Sequence, residues 1–447
     1  MEESKQPSNN ALPSSWQIET LGDITSRIGS GITPSGGNEV YKDEGVIFIR
    51  SQNVTNSGLN LSDVVYIDDN THRSMLRSEV LPFDVLLNIT GASIGRCCYV
   101  PEGIEKANQN QHVCTIRLSN PNLHDSEFLA AILSSPIGQT QISRSNAGGN
   151  REGLNYQQIR NFQIPWPTSQ ERLLISQSIK ICENLVNQTE ATIAKLRQVK
   201  AGMLHDLLTR GLDENGELRD PIRHPEQFKD SPLGKLPAEW DVVTLGKVAD
   251  VSSGVTLGNN LQGSGTIELP YLRVANVQDG YLDLSEVKKI RILKKDIDRF
   301  SLKKGDVLMN EGGDYDKLGR GAVWEAQIDP CLHQNHVFRV RPMSDVLDSY
   351  FLDAISGSEY GKRYFLLSSK QSTNLASINS TQLNQFIVPC PPMVEQKAIM
   401  AKLAAQDHTI REEIVYLEKL KSLKQGLMHD LLTGKVRVPK KLLEAPP

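Results

Sequence analysis

The chain repeats itself once, and the repeat constrains the fold more than any single motif. Its 447 residues hold two copies with a period near 224. Leu12, Pro13, Trp16, Leu21 and Gly22 return as Leu236, Pro237, Trp240, Leu245 and Gly246. Arg50 and Asn53 match Arg273 and Asn276, and Asp84, Leu86 and Asn88 match Asp306, Leu308 and Asn310. Gly95, Arg96, His112 and Arg117 match Gly319, Arg320, His336 and Arg341. The strongest block closes each copy: residues 196–209, LRQVKAGMLHDLLT, against residues 420–433, LKSLKQGLMHDLLT. The period is too long for a solenoid of small repeats. It describes one domain plus one helix, made twice.

The globular part of each copy spans residues 12–167 and 236–391. Short β-branched runs such as DVLLNIT, HVCTIRL, YLRVANV and DVLMN are broken by Gly, Asn and Pro and read as strands. Short helices fit SEFLAAILSS and DSYFLDAISGS. This is a mixed α+β domain.

The remainder of each copy reads differently. Between Ser169 and Thr209 there is no proline and one glycine. Ile175, Ile179, Cys182, Val186, Thr189, Ile193, Leu196 and Met203 recur in steps of three and four. So do Ile399, Leu403, Gln406, Ile410, Glu413, Leu417, Leu420, Leu427 and Leu431. A 3.5-residue seam is the signature of a coiled coil, and the polar intrusions along it help fix register. A helix of some 40 residues is about 60 Å long. Two such helices in one chain can cover each other's apolar stripe. Between the copies, residues 210–235 are polar and rich in Pro, Gly and Asp, and read as an extended linker. An antiparallel pair with one domain at each end would give an internal pseudo-two-fold repeat. A parallel pair would require the linker to return along the whole helix.

Composition sets further bounds. Apolar content of 38% and charged content of 23% are ordinary for a globular protein. No run suits a membrane span, and the first residues lack a signal-peptide core, so a cytoplasmic location and no membrane partner are expected. Six cysteines form no C-x-x-C pair and read as buried reduced thiols. The net charge of −4 neither announces nor excludes a nucleic-acid partner. No [ND]-P-P-[FYW] motif and no phosphate-binding G-x4-G-K-[ST] loop occurs, which argues against methyl transfer or ATP hydrolysis by this chain. A lone Glu286-Val287-Lys288 does not make a nuclease. The His205-Asp206 and His429-Asp430 pairs lack companion metal ligands and suit helix ends or a docking surface.

These features resemble the specificity subunit (HsdS) of type I restriction-modification systems. The resemblance rests on K-x-G-[LM]-x-H-D-L-L-T from Lys200 and Lys424, on the central TRGLDENGELRDP segment and FKDSPLGKLPAEW, on LLTGKVRVP, and on both copies of L-P-x-x-W-x-x-x-x-L-G. It implies a non-catalytic subunit of α+β class: two similar target recognition domains joined by two long antiparallel coiled-coil helices. Each domain would read one half of a split, asymmetric site in double-stranded DNA. The helices would set the spacer and dock two methyltransferase (HsdM) subunits, with restriction (HsdR) subunits joining them. S-adenosylmethionine, ATP and Mg²⁺ would belong to those partners, with no cofactor or metal on this chain. The corresponding division is residues 1–167 and 236–392 for the recognition domains, 168–209 and 393–433 for the helices, 210–235 for the linker and 434–447 for the tail.

Two domains with one frame and different targets should differ where they read DNA. The copies diverge most at residues 35–45 against 258–269, 89–96 against 311–320, and 139–153 against 362–377. The expected DNA contacts are Arg144, Asn150 and Arg151 in the first copy, and Lys370, Gln371, Ser372 and Asn374 in the second. Arg96 and Arg320, shared by both, suit phosphate. Lys200, His205, Asp206, Lys424, His429 and Asp430 are the expected partner-docking set. The stretch EVKKIRILKKDIDRFSLKKGD fits either a solvated helix face or a phosphate contact. A cryptic nuclease or methyltransferase, and a pure assembly scaffold, are the competing functional readings.

Overall fold

The computed structural model describes residues 12–34, 36–146, 153–256, 263–313, 318–319, 321–371 and 376–439. The chain divides into two compact units: residues 1–191 with 415–447, and residues 192–414.

In the first unit, strands Thr25–Ser30, Val113–Leu118, Val85–Asn88 and Cys97–Tyr99 form an antiparallel sheet in that order. A second sheet runs Val65–Ile67, Val46–Ile49, Ala107–Gln109, Glu79–Val80, with the middle pair parallel. Gln17–Thr20 pairs with Gln163–Trp166, which ties the start of the domain to the residues just before the first long helix. The second unit rebuilds this plan. Ala249–Ser253, Val337–Pro342, Val307–Asn310 and Gly321–Val323 make the four-stranded sheet, and Asp241–Thr244 pairs with Ile387–Cys390.

The repeated residues explain why two diverged sequences fold alike. The Asn53 carboxamide accepts from the Arg50 backbone N–H (2.9 Å) and donates to the carbonyls of Asn60 and Asp63. Asn276 does the same with Arg273, Asp283 and Glu286. This capture turns SQN and VAN into 3-10 turns, where the sequence pattern reads a continuing strand. Asn155 and Gln158 form a reciprocal capping box, and Asn379 with Gln382 forms its twin. Asp84 and Asp306, both fully buried, each hold an arginine by two bonds of 2.6–2.7 Å: Arg117 and Arg341. The hydrogen bonds to these carboxylates raise both guanidinium pKa values further. Each core also takes an indole: Trp16 and Trp240 are buried as frame residues.

The long helices are continuous from Ser169 to Thr209 and from Met393 to Leu432. Their seam residues face inward: Ile175, Ile179, Thr189, Ile193, Ile399, Leu403, Ile410, Leu417, Leu420 and Leu431 are all buried. Within each unit the two helix segments run antiparallel. In the first, Lys421 meets Glu190 and Lys424 meets Glu183, each at 3.0 Å. In the second, Lys200 meets Asp407 at 2.6 Å and the Gln406 carboxamide donates to the Leu196 carbonyl. That last bond gives the polar seam residue its register role.

The segment between the copies departs from an extended linker. Leu212 is buried, and Phe228–Ser231 forms a hairpin with Gly234–Pro237. Apolar Leu212 and Leu236 join the core of the second unit and supply packing that a polar spacer would lack. Residues 434–439 likewise pack on the first unit through Val438. Among the described residues no helix is long and apolar enough to cross a membrane. The six cysteines are unpaired, and burial raises the thiols of Cys97, Cys98, Cys114, Cys331 and Cys390, with Cys390 pushed up to about 11.

Candidate nucleic-acid interface

The three segments where the copies disagree grow from one place in each unit. In the first, Ile32 N–H donates to the Gln109 carbonyl, Leu154 N–H donates to the Ile89 carbonyl, and Ile89 N–H donates to the His112 carbonyl. In the second, Val255, Ile378 and Glu311 make the matching bonds to His333, Glu311 and His336. Four chain segments therefore meet at one rim, and three of them lead into divergent sequence.

The approach is close enough to demand glycine. A Cβ on Gly31 would stand 1.7 Å from the Gln109 carbonyl oxygen, and one on Gly254 would stand 1.9 Å from that of His333. Gln109 and His333 are thus corresponding residues with different chemistry. His333 is fully buried, shares a 2.7 Å hydrogen bond through Nδ1 with the Val337 carbonyl, and is held at a pKa of about 4 by burial.

The rim carries polar side chains that sequence comparison did not single out. In the first unit the Thr33 hydroxyl donates to the Gln111 carboxamide oxygen, Thr90 shares a 2.6 Å hydrogen bond with His112 Nδ1, and Tyr156 shares one of 2.5 Å with Ser30. In the second unit His336 Nδ1 lies 2.6 Å from a Glu311 carboxylate oxygen, with the Asn335 carboxamide beside its other nitrogen. Carboxamides, hydroxyls and imidazoles are groups that read base edges. The signal in the sequence was the shared His112 and His336 flanked by unlike neighbours, Gln111 and Asn335.

Of the residues expected to contact DNA, Arg96 is exposed after the turn Gly91–Gly95. Arg144 is exposed in the last turn of helix Pro136–Asn146. Pro136 opens that helix behind Ser135, and no further Pro interrupts it. Similarly, residues 359–368 of the matching segment are helical, capped by Ser358. Lys370 is exposed on the short strand Lys370–Gln371, which pairs with Ala376–Ser377. That strand in turn pairs with Gly312–Gly313, so two divergent segments share one small sheet. Asn150, Arg151, Arg320, Ser372 and Asn374 lie outside the described residues. The basic stretch 286–306 opens as a strand, Lys288–Leu293, and only then turns helical, through a 3-10 turn at Lys294–Asp296 and a short helix at Ile297–Phe300. Ile290 and Ile292 alternate with Lys289 and Arg291, and that period of two is a strand's.

Of the docking set, Lys200 and Lys424 are half-buried in the ion pairs described above, while His205 and His429 are exposed. Asp206 lies 3.8 Å from Arg210, and Asp430 lies 3.2 Å from Lys435. Each motif lysine also lines a cleft between recognition domain and helices within its own unit. Ile179, Glu183 and Lys424 line the first, and their repeat mates Leu403, Asp407 and Lys200 line the second.

A family profile for the type I restriction modification DNA specificity domain matches residues 13–200 and again residues 237–421. The chain belongs to this family. Each unit holds the globular part of one specificity domain with segments of both long helices, and the relatives of the chain are specificity subunits of type I restriction enzymes. The MjaVIII specificity subunit of Methanocaldococcus jannaschii is 25% identical over 437 residues, covering 96% of this chain and 94% of that one. The EcoKI specificity subunit of Escherichia coli is 22% identical, covering 95% and 90%. Among solved structures, a chain from a type I restriction-modification system superposes with a TM-score of 0.58 at 18% identity, over 95% of this chain and all of that one. The S subunit from M. genitalium gives 0.51 at 15% identity, over 95% and 98%. These likenesses bear out the two mixed domains and the long helices.

Proposed function

We propose that this family member reads a bipartite, asymmetric site in double-stranded DNA, one half with each rim, and makes no bonds itself. The observation that carries the reading is the convergence, at one rim per unit, of the chain that leads into all three divergent segments, anchored by shared residues. A rigid frame with a variable polar edge suits base readout, which needs positioned donors and acceptors. In this reading Arg96 and Arg320 take phosphates. Arg144, Asn150, Arg151, Lys370, Gln371, Ser372 and Asn374, joined by Gln111 and Asn335, face the bases.

The long helices act as the spacer and carry two methyltransferase subunits; restriction subunits complete the assembly. S-adenosylmethionine, ATP and Mg²⁺ act on those partners. The intramolecular ion pairs of Lys200 and Lys424 give these lysines the task of holding the helix pair. The docking face is then Val199, Gly202 and His205 with Asp206, repeated as Leu423, Gly426, His429 and Asp430. Val199 and Leu423 are 47% and 60% exposed and stand at matching places in the two copies. Nothing lies within 4 Å of a Cβ built on Gly202 or Gly426, which leaves room for an approaching side chain.

Mapping methylated sites across a genome, with the native chain and with a chain whose residues 12–167 come from another family member, tests this. One half-site should change and the other should stay. Change in both halves, or in neither, would refute it.

A further inference from the structure

The two units differ in charge at one corresponding strand end. In the second unit, Lys288–Leu293 is the edge strand of a three-stranded sheet with Thr266–Leu272 and Leu332–His333. Ile292 is buried and Ile290 packs beside it, so Lys289 and Arg291 point the other way, and both are exposed. The strand runs into Lys294 and Lys295, also exposed. The Lys294 N–H donates to the Gly265 carbonyl (3.0 Å), which pins this turn against the divergent segment 258–269. Arg299 follows on the next half-turn. None of these five cations forms an ion pair among the described residues, although Lys288 and Lys304 nearby do. Glu268 lies across from Arg291, and Asp296 and Asp298 are close in sequence, yet the segment keeps a net positive charge.

The first unit reverses the sign. Its corresponding strand, Val65–Ile67, is three residues long and runs into Asp68 and Asp69. The Thr71 backbone N–H holds the Asp68 carboxyl below the usual carboxylate range.

We propose that Lys289, Arg291, Lys294 and Lys295 form a phosphate-binding edge on the second unit, which grips the DNA backbone beside the second half-site without reading it. The inference rests on the DNA-reading function proposed above. A duplex is the partner whose charge this edge complements: cations not committed to an ion pair can neutralise phosphates and release the counterions condensed on the duplex. The edge makes the second unit the electrostatic anchor, and leaves the first unit dependent on its rim.

The test uses the full-length chain and fluorescent 40-base-pair duplexes of unrelated sequence, with affinity measured across a salt series. For the K289Q/R291Q/K294Q/K295Q variant, the slope of log K against log [salt] should shrink by roughly 0.9 for each phosphate left without its cation. Affinity near 0.15 M salt should fall roughly ten- to hundredfold, equally on every sequence. The charge-preserving K289R/K294R/K295R variant should bind as the native chain does, and so should K229Q/K235Q on the separate hairpin of Phe228–Ser231 with Gly234–Pro237. An unchanged slope in the quadruple variant, with the native chain still binding, overturns the phosphate edge and leaves the DNA-reading function standing. Failure of the native chain to bind any duplex, alone and with its methyltransferase subunit, overturns both.

Discussion

Glu171 and Glu395 occupy matching points at the base of the two units, and their surroundings differ in an instructive way. Each carboxylate accepts from an indole N–H at 3.1 Å: Trp16 for Glu171, Trp240 for Glu395. Each also holds an arginine by two bonds. For Glu171 that arginine is Arg437, from the segment after the second long helix. For Glu395 it is Arg219, from the segment after the first. Each domain is therefore closed by the chain that leaves the other domain's helix. The two clamps are not equally sealed. The Arg437 side chain is 41% exposed, while that of Arg219 is 10% exposed, and Glu395 also accepts from the Leu212 backbone N–H at 2.8 Å. The same chemistry is a covered lock in one unit and a half-open one in the other.

The largest effects should come from emptying the clamps. Glu395→Ala strands a buried indole, guanidinium and amide, and should cost about 3–5 kcal/mol in thermal or denaturant unfolding of the second unit. Glu171→Ala should cost less, since Arg437 can turn to solvent. Equal losses would dissolve the distinction. Arginine removal sharpens it: Arg219→Ala should destabilise by about 2–3 kcal/mol and Arg437→Ala by about 1 kcal/mol, each read as protease sensitivity of its own unit.

Acid should separate the units too. The His333 pKa lies below its unfolded value, so the unfolded chain binds more protons between pH 6.5 and about 4, and stability falls as pH falls through that window. The first unit carries Gln109 at that place. His333→Gln should therefore recover roughly 2 kcal/mol of second-unit stability near pH 4 and little at pH 8. Asp353 works in the opposite sense and more weakly. Burial, and then Asp279, raise its pKa to about 6, with Lys200 pulling the other way. The folded state holds the extra proton, so stability falls as pH rises from about 4 to 6. Asp353→Asn should add about 1 kcal/mol above pH 6 and nothing at pH 4. The matching residue of the first unit is Ala130, and no such slope is expected there.

The repeat, the helices and their seam were legible because each is written as a pattern: identical residues at one offset, or apolar residues at one period. The frame residues were legible as matches, although their jobs were not. Nothing in Asn53 or Asn276 announces a 3-10 turn until the carbonyls they reach are seen. The linker reads as extended because its apolar residues are scattered among polar ones, and Leu212 reaches the core of the second unit only in three dimensions. The rim was half legible. Divergence marked its outer segments, but Gln111 and Asn335 sit inside a well-matched block and stand out only by place. The place of Arg144 on a helix follows from the Pro136 start and the unbroken run behind it, a signal that the divergence of its segment obscures.

The close approach at Gly31 and Gly254 has a practical consequence. Those two contacts, with the backbone bonds around them, are seams at which one rim can be cut out and another sewn in. An engineer who keeps the glycines, the His112 and His336 bonds and the capping boxes can exchange residues 35–45, 91–96 and 147–152 as cassettes. The molecule then becomes a socket with interchangeable bits.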